Sequence, residues 1–115
     1  MAAKRISDEV GLAALRDLAT QQVTAVRYLL QVLEKAHPGG TIELRVPPCG
    51  AVQLVGGLNH RRGTPPNVVE INAEDFLGLA LGKVSWQSLV ETGKLLASGS
   101  RAAELRNLFP LPEVR

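Results

Sequence analysis

The amino-acid sequence predicts an α+β fold, a mostly antiparallel sheet of four to five strands with helices packed on one face. Three observations predict it. A long one-sided helical pattern precedes Pro38, strand-like runs recur at 41–46, 51–55 and 67–71, and an apolar helix framed by Asn72 and Gly82 follows the third run. The 115 residues suit one domain, residues 1–115, with an N-terminal amphipathic helix within 1–38 and a sheet-and-helix core over 41–109.

In chain order, Ser7 can cap a helix whose first turn holds Asp8 and Glu9. Spaced about 100° apart, Leu12, Leu15, Leu18, Val23, Val26, Leu29, Leu30 and Leu33 fall in one arc, and Arg16, Asp17, Thr20, Arg27 and Glu34 in the opposite one. One long helix, packed on the sheet or on another protomer, is the expectation. Gln22 lies inside the apolar arc, either bonded to nearby backbone at its edge or reaching into a pocket. Pro38-Gly39-Gly40 ends the helix.

Thr41 to Val46 alternates, with Ile42, Leu44 and Val46 on one face, and Pro47-Pro48-Cys49-Gly50 connects it to an antiparallel strand at Ala51–Val55. Asn67–Ile71 reads as a third strand. Asn72 then caps a helix over Ala73–Leu81 with Asp75 as a short capping-box partner, and Gly82 closes it. Ser85 starts a short helix that Gly93 stops, Lys94–Ser98 is a strand, and a helix runs from Arg101 to Phe109.

Composition narrows the function classes. A net charge of +2, with basic residues scattered along the chain, gives no basic stripe for nucleic acid. One cysteine precludes an intrachain disulfide, and His37 and His60 lack metal-ligand spacing. Asp8 and Glu9 interrupt the N-terminus before any apolar run, and no apolar run approaches a bilayer span, so a cytoplasmic protein is expected. Neither Cys49 nor His60 has an orienting partner in the sequence, so no catalytic residue, metal or cofactor is expected.

The helix at 73–81 is apolar nearly all round, through Phe76, Leu77, Leu79, Ala80 and Leu81. Such a helix needs cover on both flanks. The run D-F-L-x-L-x-x-G-K at Asp75–Lys83, followed by a short helix and G-K-L-x-x-x-G at Gly93–Gly99, resembles the core of the sterol carrier protein type 2 family over roughly 41–109. Val46-Pro47-Pro48 and Arg62–Glu70 look more narrowly like its stand-alone bacterial branch.

The resemblance implies a hydrophobic tunnel between sheet and helices that takes fatty acyl or sterol-like molecules. Its walls here would be Phe76, Leu77, Ala80, Trp86, Leu89, Leu105, Leu108 and Phe109. The plainer reading is that these side chains fill one another's space. Polar contacts to a headgroup or other anion would come from Arg45, His60, Arg61 and Arg62, since guanidinium forks match carboxylate and phosphate. The plainer reading of His60–Asn67 is a solvated turn stiffened by its prolines. Two functions follow: non-enzymatic binding and transfer of apolar ligands, with transient membrane or enzyme contacts, or an interaction module. In the second, homodimers form through the first helix or the apolar C-terminal end.

Overall fold

A computed structural model of the protein describes residues 5–56 and 65–114. Helices α1 (Asp8–Leu15) and α2 (Leu18–Ala36) precede strands β1 (Pro38–Val46), β2 (Gly50–Leu54) and β3 (Asn67–Ile71). Helices α3 (Ala73–Ala80) and α4 (Trp86–Glu91), strand β4 (Leu95–Ser98) and two 3-10 helices, Ala102–Leu108 and Pro112–Val114, complete the chain. The four strands lie in the order β2-β1-β3-β4. β1 pairs antiparallel with β2 and parallel with β3, and β3 pairs antiparallel with β4.

Strand alternation decides which face is covered. Ile42, Leu44, Val46, Leu54, Val69, Ile71 and Leu95 are buried beneath the helices. The outer face carries Glu43, Arg45, Glu70 and Leu96, with Arg45 in register between Ala51 and Glu70. Asn67, opposite Ile42, is a polar residue on the buried face, only 4% exposed. Its amide donates to the Thr41 carbonyl at 3.0 Å, and its Oδ1 accepts the Arg101 N–H at 2.9 Å. One side chain thus ties β1, β3 and the turn after β4 together.

The single N-terminal helix expected from the periodicity is instead two helices folded into a hairpin. Arg16 closes α1, and Asp17 is non-helical (φ −139°, ψ 59°), holding the Thr20 hydroxyl with its carboxylate and Gln21 N–H with its carbonyl. Asp and Thr offer the backbone these local alternatives to a continuous helix. The return is set by Gly11, because a Cβ there would lie 2.2 Å from the Tyr28 ring. The Tyr28 hydroxyl donates to Asp8 Oδ1 at 2.8 Å, and Gln31 bonds both the N–H and the carbonyl of Ile6, at 2.9 and 2.8 Å. Gly11 and Ala14 are therefore buried, while Leu12 and Val23 of the supposed core arc are 36% and 52% exposed.

The later punctuation matches the sequence reading. Asn72 Oδ1 accepts the Asp75 N–H at 2.8 Å, and Ser85 Oγ accepts the Ser88 N–H at 3.1 Å. Gly82 and Gly93 hold φ of +79° and +74° at the two helix ends, a conformation glycine adopts without strain. The expected last helix forms as a 3-10 helix, with the Glu104 N–H on the Arg101 carbonyl.

Candidate functional site

Helix α3 is the centre of the molecule's apolar chemistry. Its cap at Asn72 fixes its phase, so that Glu74, Asp75, Leu77, Gly78 and Leu81 share one side. That side looks toward Leu18 and Gln22 at the start of α2 across a cleft of about 300 Å³. Lys83 and Val84 complete the wall. They turn back onto α3 because the Gly78 carbonyl accepts both their N–H groups, at 2.8 and 3.3 Å. A Cβ on Gly78 would approach Val84 Cγ2 to 3.1 Å, so the bare glycine permits this close return. The cleft has an apolar floor (Leu18, Leu77, Leu81, Val84) and a rim of mixed charge (Glu74, Asp75, Lys83) with one amide, Gln22.

Behind the cleft lie buried side chains of the core. Phe76, Ala80 and Leu105 are fully buried, and Leu77 and Leu89 nearly so. Trp86, Leu108 and Phe109 are half-buried against the same core. The Phe76 and Phe109 rings meet edge to face, with centroids 6.1 Å apart and planes at 87°. Leu111, also buried, donates its N–H to the Ala80 carbonyl at 2.9 Å. The C-terminal segment thus covers the flank of α3 that its own sheet leaves open. Of the eight residues expected around a tunnel, Leu77 is the one that borders the α2–α3 cleft, and the others belong to the buried core or lie against it.

The proposed polar contacts separate. Arg45 lies on the outer sheet face, where its Nε donates to a Glu43 carboxylate oxygen, so its charge is already paired. The physical reason is strand alternation, which places residues 43 and 45 side by side on one face. His60, Arg61 and Arg62 lie outside the described residues. Among the described residues no group of three or more His, Cys, Asp or Glu is placed to hold a metal ion. No helix among them is long and apolar enough to cross a membrane.

A second cleft, of about 590 Å³, was not anticipated. Arg27, Leu30, Gln31 and Glu34 of α2 form one wall, Cys49 to Val52 the other, and Arg5 and Ile6 the third. The spacing i, i+3, i+4, i+7 on α2 was present in the sequence, but nothing local showed that the chain before α1 would return to it. Burial raises the Cys49 thiol's pKa, and the nearby Arg27 charge partly opposes that rise.

Residues 19–111 match the family model described as bacterial SCP ortholog. The chain belongs to that family. Sterol carrier proteins are also found among similar solved structures. Sterol carrier protein-2 like-3 from Aedes aegypti shares 14% identity at a TM-score of 0.41, covering 77% of this chain and 93% of its own. The apo form of sterol carrier protein 2 from Yarrowia lipolytica shares 18% identity at a TM-score of 0.41, covering 93% and 92%. No curated protein matches the sequence. The matched residues take in α2 from Ala19, the four strands, α3, α4 and the C-terminal segment through Leu111.

Proposed function

We propose that this bacterial SCP-family protein is a non-enzymatic carrier that binds an acyl chain or similarly apolar molecule through the cleft between α2 and α3. The observation that carries the reading is the cleft's make-up, with apolar Leu18, Leu77, Leu81 and Val84 in its lining, at the helix bearing the D-F-L run. Its volume of about 300 Å³ sits at the lower end of ligand pockets. An acyl tail enters at Leu77 and is accommodated as Phe76, Ala80, Leu89, Trp86 and the C-terminal Leu105, Leu108 and Phe109 part around it. The polar head stays at the rim, beside Gln22 and Lys83. Delivery to a membrane or an enzyme would follow from release at the same mouth.

A fluorescent fatty acid tests the reading. Saturable binding is expected with a dissociation constant on the order of micromolar. Val84→Trp, on an exposed residue at the mouth, should weaken it at least about tenfold without unfolding the chain. Leu77→Arg should abolish it, with circular dichroism to confirm that the fold survives. Absence of saturable binding to the wild-type chain would overturn the proposal.

The alternative, an interaction or oligomerisation module without a ligand, draws on the apolar side chains left outside on the α1–α2 hairpin, Val10, Leu12 and Val23. Native mass spectrometry separates the two. Co-purified lipid supports the carrier, whereas a dimer that carries none and takes up no fatty acid supports the module.

A further inference from the structure

We propose that the larger cleft, between α2, β2 and the segment preceding α1, is a second binding site, for an organic monoanion with an apolar body. It lies apart from the α2–α3 cleft and shares no residue with it. Its chemistry is also different. Leu30, Ile6 and Val52 supply an apolar floor, while Arg5, Arg27 and Glu34 are the charged groups that line it. Among the described residues neither arginine makes an ion pair, although Glu34 lines the same cleft. Two cations against one carboxylate leave a balance of one positive charge, which a monoanion neutralises.

The walls are fixed before any ligand arrives. Gln31 spends its amide on the N–H and carbonyl of Ile6, holding Ile6 against α2 as a wall. The arginines are the cationic donors that line the cleft. Arg27 lines the cavity together with Cys49 of the opposite wall. Gly50 keeps the space open: its position lacks a side chain, and a Cβ there would already touch Leu30 Cδ1 at 3.4 Å. A small anion is therefore received by a preformed cavity with a fork of guanidinium donors at its lip.

The probe is 1-anilinonaphthalene-8-sulfonate, compared with its neutral relative N-phenyl-1-naphthylamine, on the full chain. The sulfonate should slow alkylation of Cys49 by N-ethylmaleimide in a saturable manner. Arg27→Gln, on an exposed side chain, should weaken sulfonate binding about tenfold and leave binding of the neutral dye unchanged. Gly50→Leu, which fills the cavity, should abolish the protection of Cys49. Val84→Trp, at the other cleft, should leave the protection of Cys49 by the sulfonate as in the wild type, so that the two sites succeed or fail separately. No sulfonate binding, binding that leaves Cys49 equally reactive, or equal affinity in Arg27→Gln and wild type would each overturn the proposal.

Discussion

Asn67 shows how much structure one buried amide organises. Its two hydrogen bonds satisfy the Thr41 carbonyl and the Arg101 N–H, and Gly99 makes room for it: φ there is +106°, and a Cβ would lie 2.4 Å from Asn67 Oδ1. Asn67→Ala strands both partners and should cost about 2 kcal/mol in urea unfolding. Gly99→Ala should cost a similar amount, and the double variant should lose less than the sum, because both changes break the same contact. Tyr28 gives a prediction in pH. Burial, followed by its hydrogen bond to Asp8, raises its pKa above the ordinary 10.0. A folded-state pKa raised above the unfolded value means that the contribution is fully present below 10.0 and is lost as pH rises through the folded value. Wild-type stability should therefore fall above pH 10.0, and Tyr28→Phe, about 1 kcal/mol less stable at neutral pH, should lack that component of the alkaline decline.

At the scale of elements, the legible parts were those whose signals are local. The caps at Ser7, Asn72 and Ser85, the stops at Gly82 and Gly93, and the alternation of Ile42, Leu44 and Val46 act within a few residues, and each appears where the sequence puts it. The α1–α2 break was illegible because the apolar period continues through it. What decides it is a contact twenty residues apart in sequence, Asp8 with Tyr28, and a glycine that admits an aromatic ring. The parallel pairing of β1 with β3 is similarly a matter of topology, which strand composition does not encode. The hairpin can be tested as a unit. Gly11→Val must drive the Tyr28 ring away and break its bond to Asp8, at a cost of about 2 kcal/mol. Amides of α1 should then exchange with deuterium much faster while those of β1 and β3 keep their relative protection. Uniform loss of protection would show instead that the hairpin folds as one unit with the sheet.

For the molecule as a whole, the apolar helix was readable, and so was its need for cover on two sides, but the identity of the cover was not. Phe76 and Leu105 announce burial by composition, whereas what covers Phe76 depends on the C-terminal segment returning across α3. That return is held by the Phe76–Phe109 ring contact and by the Leu111 N–H on the Ala80 carbonyl. This segment lies against α3, so an acyl tail longer than the surface cleft is expected to displace it. Part of its binding free energy then opposes the segment's own packing. Weakening that packing should therefore lower stability and raise affinity together. Phe109→Ala removes a half-buried ring from the contact and should cost about 2 kcal/mol in urea unfolding. In the same protein, a fluorescent long-chain fatty acid should bind several-fold more tightly, while one short enough for the cleft alone should bind as in the wild type. Equal affinity of Phe109→Ala and the wild type for the long chain would mean that the tail never passes Leu77 and that the C-terminal segment is a permanent wall.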